Sequence, residues 1–534
     1  MQILIKSLIV LSIYLACSAA LAAPESAPDR ERGEGPFERL ILRGVTVING
    51  EGAPPVGPMD IVIAGDRITA VRNVGYPGVP IDDARRPTAD TGDRVLELEG
   101  HYVLPGFFDL HAHFGGDDQG VPAEYVAKLW LAHGITTIRE PGSFNGLGWV
   151  QEHQRRSAEN RIAAPHIVPY VGFGMGGDGP IQTPEQARRW VRDIAKQGAA
   201  GIKFFGAPPA VMRAALDEAG KQGLGTAMHH AQLNVTHWNA LDSARSGLTT
   251  LEHWYGLPEA LFEDRVIQHY PPDYNYSDEQ HRFAEAGRLW AQAAAPGSQA
   301  WNAVRDELLA KGLTLNPTFT IYEASRDLMR EMNADWQQDY SHPALWAFFQ
   351  PSREAHGSYW FDWTTADEIA WKANFRRWMQ FVNEYKNHGG RVTLGSDAGY
   401  IWKLYGFAYI REMELLQEAG FHPLEVVRAA TLHGAEALGL DGEAGSIRPG
   451  KRADLVVTRH NPLANFKVLY GTGHFRLDDA NKPARVGGVR YTIKGGVVYD
   501  AAELLEDVRN IVSEARRAQG QGDGPQRLPY IPNN

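Results

Sequence analysis

One cysteine occurs in 534 residues, Cys17, and it lies inside an apolar N-terminal run. The chain after that run has no thiol, which excludes disulfides and thiolate metal sites there. There is no dense cluster of lysine and arginine, and the net charge is −11, which argues against nucleic acid as the main partner. Long hydrophobic runs are also scarce. The run over residues 8–21 is too short for a comfortable membrane span. With Lys6 before it and Ala20-Leu21-Ala22 at its end, residues 1–22 read as a signal peptide. Tyr14-Leu15-Ala16 fits a lipoprotein signal at Cys17 poorly. The expectation is an exported protein, periplasmic or secreted, with no stable membrane span.

What remains is a composition suited to a large buried core, 43% hydrophobic and 22% charged. Residues 37–98 alternate in short strands, and Ala64-Gly65-Asp66 between Ile/Val runs reads as a hairpin turn. Similar strands return at Ala453-Asp-Leu-Val-Val-Thr and at Val489-Arg-Tyr-Thr-Ile-Lys. Residues 23–100 and 441–500 therefore read as two pieces of one β-domain bracketing a central domain, 101–440. Residues 501–518 read as an amphipathic helix and 519–534 as a Gly/Pro/Gln-rich tail, compatible with packing on a second subunit of a homo-oligomer.

The central domain alternates strand-like and helical patterns. Eight strands are expected, at 102–110, 135–139, 166–172, 200–205, 224–229, 248–253, 313–319 and 391–397. Helices are expected at 122–133, 184–198, 207–222, 303–311, 366–388 and 423–438. Eight such units predict a (β/α)₈ TIM barrel, whose active site lies at the C-terminal strand ends.

Residues able to bind metal fall at those ends. His111 and His113 share a face through their i, i+2 spacing, and neutral imidazole is a good ligand for zinc-like cations. Lys203 interrupts an apolar strand, where it needs a carboxylate, a depressed pKa or carboxylation to a carbamate. His229 with His230, His253 and Asp397 end later strands. Singly each has an ordinary structural explanation. Jointly they supply enough ligands for two divalent cations with positions open to water.

These pieces resemble the amidohydrolase superfamily over roughly residues 38–500. The resemblance is carried by Pro105-Gly-Phe-Phe-Asp-Leu-His-Ala-His113, Gly201-Ile-Lys203, Leu251-Glu-His253, Gly395-Ser-Asp397-Ala-Gly and Gly445-Ser-Ile-Arg-Pro-Gly. It is greatest to the prolidase-like and imidazolonepropionase-related branch. It implies a metal-dependent hydrolase on a barrel, with a β-sandwich built from both chain ends. It also implies His111 and His113 on one metal, His229 and His253 on the second, and Lys203 bridging both as a CO₂-derived carbamate. Zinc is the expected cation. Asp397 would touch the first metal and shuttle protons while a metal-bridged hydroxide attacks a carbonyl carbon. Two departures stand out. Arg139-Glu140 replaces the family's Arg-Asp, and His229-His230-Ala231 replaces His-Ala-His, which leaves His230 as a rival ligand or a substrate contact.

Loops 254–302 and 323–365 are long and rich in aromatics, including Tyr270, Tyr274, Tyr276, Trp290, Trp336, Trp346 and Trp360. They read as a lid or binding wall at the catalytic face, or as packing unrelated to substrate. Tyr322, after the seventh strand, is placed to touch substrate. The expected small-molecule substrate is a short dipeptide or an N-acyl amino acid. The competing readings are a cyclic amidase or lactonase with the same site, and an inactive barrel that only binds.

Overall fold

The computed structural model describes residues 23–521 except 117, 178 and 354. The expected signal peptide, 1–22, and the last residues of the tail lie outside the described residues.

The N-terminal piece gives β1 (Leu40–Val47), β2 (Val56–Ala64), β3 (Arg67–Asn73), β4 (Arg94–Glu97) and β5 (Tyr102–Pro105). The β2–β3 turn falls at Gly65-Asp66, where Gly65 takes φ +56°, a left-handed conformation suited to glycine. The expected first barrel strand, 102–110, is in fact two strands in two sheets. Gly106 divides them, and a Cβ there would lie 2.1 Å from the Thr136 hydroxyl.

The central strands are β6 (Phe107–Asp109), β7 (Ile135–Glu140), β8 (His166–Gly172), β9 (Gly201–Phe204), β10 (Gly225–Met228), β11 (Thr250–Glu252) and β12 (Thr314–Asn316). They form one curled parallel sheet in the order β12-β11-β10-β9-β8-β7-β6. Almost every residue in them is buried, as expected of strands covered on both faces. The eighth strand expected at 391–397 is reduced to a single bridge, Leu315 to Val392. That segment still touches both sheet edges. Thr393 N–H donates to Leu315 O, Leu110 N–H to Leu394 O, and Asp397 N–H to His111 O. Expected helix 423–438 breaks at Thr431 into Pro423–Ala430 and Leu432–Ala437. Helices Leu147–Ala158 and Phe407–Glu418 were not anticipated.

The C-terminal piece adds β13 (Leu455–Thr458), β14 (His474–Leu477), β15 (Pro483–Val486), β16 (Val489–Lys494) and β17 (Val497–Asp500), then helix Ala501–Ala518. Strands from both chain ends share one eight-stranded sheet, β17-β16-β13-β5-β1-β2-β3 with β4 on β1. The strands expected to make a β-sandwich are thus joined in a single hydrogen-bonded sheet, with β14–β15 as a separate ribbon. Among the described residues no helix is long and apolar enough to cross a membrane.

Asp454, just before β13, fastens the two large sheets together. Its carboxylate accepts from Gly495 N–H (2.8 Å) and Arg452 Nε (2.5 Å), and lies 3.2 Å from His166 Nε2 at the start of β8. Burial acts to raise this carboxyl, but the Arg452 guanidinium and His166 together outweigh it and hold it well below the usual range. Asp454→Ala leaves buried partners unpaired and should cost about 3–5 kcal/mol in urea unfolding at neutral pH. A carboxyl depressed in the folded state stabilises fully above its unfolded pKa, near ~4, and loses this contribution as the pH falls further. The gap between wild type and Asp454→Ala should therefore narrow toward about pH 3.

Candidate metal centre

Just beyond β6 the chain places His111 and His113 side by side, with ring centroids 5.3 Å apart. Each has its Nδ1 committed to a carboxylate, His111 to Glu252 at 2.8 Å and His113 to Glu140 at 3.0 Å. His253, at the end of β11, repeats the pattern with a hydroxyl, Thr318 Oγ1 at 2.6 Å. The Thr318 hydroxyl proton goes to Pro317 O at 2.6 Å, so its oxygen accepts from His253 Nδ1–H. With Nδ1 donating in all three rings, each Nε2 lone pair is directed into the cavity, that of His111 toward Lys203 Nζ. All three Nε2 atoms face Asp397, at 3.6, 3.6 and 3.8 Å. A ring whose far nitrogen is anchored this way is set up as a metal ligand.

Lys203, on β9, is buried, and its Nζ lies 3.2 Å from His111 Nε2. His229, just past β10, packs against His253 at 4.7 Å between centroids. His111, His113 and Asp397 each offer a ligand atom, all within 4.8 Å of one another, which fits a divalent cation. Gly395 makes room for this cluster, since a Cβ there would lie 2.7 Å from His111 Cβ.

Burial sets the titration of the site. It holds His111, His229 and His253 well below the ordinary imidazole range, helped by the nearby Lys203 charge and by one another. The rings are neutral, as ligands must be. Burial also lowers Lys203 to about 8 against the pull of Glu252 and Asp397, and raises Asp397 against His113 and Lys203.

The adjacent histidines separate clearly. Ala231 N–H donates to Phe205 O and His229 N–H to Phe204 O, so the chain stays extended and the two side chains alternate. His229 faces the cavity. His230 turns away to Ser243 Oγ (2.8 Å) and is fully buried beneath Gly256, so it does not line the cavity as a substrate contact would. Tyr322, in the first turn of helix Phe319–Met332, does line it, edge-on to His253 at 5.6 Å.

The cavity holds about 270 Å³ and takes residues from both insertions, Tyr276, Arg282 and Phe283 from one and His356 from the other. Glu279 ties the insertions together, accepting from Arg282 Nη2 (2.6 Å) and His356 Nδ1 (2.7 Å). Of the seven aromatics singled out in the sequence, Tyr276 lines the cavity. Trp290 packs on Phe381, Trp336 on Phe407, Trp346 on Trp402, Trp360 on Tyr359, and Tyr270 on Tyr274. A larger open cavity of about 810 Å³, near Trp190, contains none of the imidazoles.

Sequence reasoning missed the groups behind the ligands. Glu252 lies within Leu251-Glu-His253, and Glu140 stands where the resembling family has Asp. The longer acid at 140 reaches both His113 Nδ1 and Phe114 N–H. Nothing in the sequence pointed to Thr318, which sits at φ +51°, or to Arg282 and His356.

The family model "Amidohydrolase family" matches residues 102–498, and the chain belongs to that family. Membership in that family places it among the amidohydrolases. The chain is 30% identical to an adenine deaminase of Deinococcus radiodurans over 171 residues, 28% of this chain and 29% of the relative. It is 27% identical to an N-acyl-D-aspartate deacylase of Alcaligenes xylosoxydans xylosoxydans over 191 residues, 34% and 35% of the two. The matched stretches thus span about a third of those curated relatives. Among solved structures, a Xaa-Pro dipeptidase with bound methionine aligns with a TM-score of 0.57 at 17% identity, covering 86% of this chain and all of that one. Bottromycin amidohydrolase aligns at 0.59 and 18%, covering 92% of each. At these identities the structures establish a TIM-barrel-like fold.

Glu252→Gln should keep the fold, yet lower metal affinity by roughly 10–100-fold, read by titration of the metal-free protein. Glu252→Ala should in addition lose about 3–5 kcal/mol of stability, because it strands the Arg139 guanidinium, which is fully buried and 2.6 Å from Glu252.

Proposed function

We propose that this chain is an exported binuclear metallo-amidase that cleaves a dipeptide or an N-acyl amino acid. One observation carries the reading: three imidazoles with anchored Nδ1 atoms turn their Nε2 lone pairs toward one carboxylate, beside a buried lysine. His111, His113 and Asp397 would hold one cation, and His229 and His253 the other. Lys203, carboxylated by CO₂ at Nζ with loss of a proton, would be shared between them. Zinc suits a donor set of neutral imidazoles and carboxylates. When bound, the cations supply a water acidic enough to deprotonate near neutral pH, and a Lewis acid for the carbonyl oxygen.

The protein's own part follows from the side chains. Asp397 takes the proton of the attacking water at its carboxylate and returns it to the leaving nitrogen. Glu252, Glu140 and Thr318 keep the rings in the tautomer that leaves Nε2 free. The two insertions, joined at Glu279, contribute Tyr276, Arg282, Phe283 and His356 to the cavity lining. The dipeptidase and the N-acyl-D-aspartate deacylase among the similar proteins support an amide substrate; the adenine deaminases make release of ammonia from adenine the outcome that would redirect the assignment.

The test is metal analysis, intact mass and activity on dipeptides and N-acyl amino acids, with protein purified without chelator. The expected result is two metals per chain, a mass increment of one CO₂ that is absent in Lys203→Ala, and activity abolished by chelation. Asp397→Asn should stay folded and lose about 10²–10⁴-fold in kcat. Full activity of Asp397→Asn, or metal-free active protein, would refute the reading.

A further inference from the structure

Large apolar side chains exposed to solvent are uninformative when scattered but informative when grouped at a site. Phe144 and Phe205 are 47% and 42% exposed, and both line the metal cavity. Their ring centroids are 6.4 Å apart with planes tilted by 37°. Each also rests on an imidazole of the site. Phe144 stacks on His113 at 5.4 Å, and Phe205 lies 5.6 Å from His229.

Both rings are firmly mounted. Phe144 follows Ser143, whose φ of +48° is unusual for a residue other than glycine, and Ser143 Oγ donates to Tyr170 O at 2.7 Å. Gly142 passes so close beneath that a Cβ would lie 2.5 Å from Phe144 Cζ. Phe205 directly follows β9, and its carbonyl accepts from Ala231 N–H at 2.9 Å. The ring orientation is thus set before any ligand arrives, which lowers the entropy lost on binding.

The lining also carries Arg282 and His356, and Glu279 already pairs with both. Gln232 Nε2 and the Tyr255 hydroxyl also line the cavity, and the exposed apolar part of its lining is the pair of phenyl faces. A ring sandwiched between them would need roughly 7–8 Å, twice an ordinary carbon contact. At 6.4 Å and with their tilt they form a shelf on which one ring can lie across both.

We propose that Phe144 and Phe205 are specificity-determining residues, and that the substrate is an amide bearing an aromatic group that stacks on this shelf beside the scissile bond. This rests on the amidase reading above and narrows its substrate class. The test compares N-benzoylglycine and N-acetylphenylalanine with N-acetylglycine on the metal-loaded enzyme. At least one aromatic compound should exceed N-acetylglycine about 10-fold or more in kcat/KM. Phe144→Ala and Phe205→Ala should each cut that ratio by roughly 10-fold, and Phe205→Tyr should preserve it. Equal kcat/KM for all three compounds in the wild type, or an unchanged ratio in both alanine variants, overturns the proposal.

If none of the three is hydrolysed, the N-acyl amino acid form of the amidase reading fails and calorimetric binding of the same compounds decides the shelf separately. A 10-fold preference for an aromatic compound that the alanine variants lose upholds it. Binding without preference overturns it.

Discussion

The Glu252 carboxylate is the contact on which the site depends. It is fully buried and accepts four hydrogen bonds: Arg139 Nη2 at 2.6 Å, and Thr250 Oγ1, Asn316 Nδ2 and His111 Nδ1 at 2.8 Å each. Those donors come from β7, β11, β12 and the end of β6, so one side chain sets the relative position of four segments. Burial alone would raise this carboxyl, yet Arg139, Lys203 and His253 outweigh it and bring it below its ordinary value. Arg139 donates in turn to Leu110 O and Thr250 Oγ1. A buried ion pair gains little net stability after desolvation. What it gives here is placement, because a carboxylate bonded to donors from several segments admits few alternative arrangements.

A second buried network holds the opposite rim. Lys403 donates to Glu323 at 3.0 Å and also pairs with Glu331, while Arg411 Nε donates to Glu323 at 2.9 Å. Glu412 accepts from Phe319 and Thr320 N–H at the start of helix Phe319–Met332, next to Thr318. Lys403 closes a turn in which Asp397, Ile401 and Trp402 have φ of +49°, +51° and +62°. A β-branched residue at positive φ is held there only by its surroundings. Gln337 Nε2 on Trp402 O and the Lys403 ion pairs supply that restraint. The strain lies where Asp397, Tyr400 and Ile401 meet the cavity. The two networks therefore fix the imidazoles from one side and the acid from the other.

The site was more legible than the frame that carries it. His111, His113, Lys203, His229, His253 and Asp397 lie around one cavity because parallel strands deliver their C-terminal ends to one face. Strand-end position is encoded locally, in short apolar runs, and so is readable. The choice between His229 and His230 was not readable, because it depends on hydrogen bonds to β9 that fix which side chain faces inward. Glu252, Glu140 and Thr318 were hidden for a similar reason, since an anchoring role appears only when distant strands meet. The break at Gly106 was missed because Val103-Leu-Pro-Gly-Phe-Phe is continuously apolar, and one buried run looks like another. The irregular segment 391–397 was drawn as a strand from the same kind of pattern.

Charge balance links the lysine to the metals on the proposed reading. Glu252 is offset by Arg139, so the remaining charges around the imidazole cluster are Lys203, Asp397 and, behind His113, Glu140. With Lys203 as ammonium these groups leave a single net negative charge, too little to offset two dications in a desolvated cavity. Carboxylation turns the lysine from a positive group into a negative one and leaves two negative groups to receive the cations. The carbamate in turn would be a costly buried anion without them. Each modification removes the penalty on the other, so CO₂ and metal should bind as a coupled pair, with metal affinity dependent on dissolved CO₂.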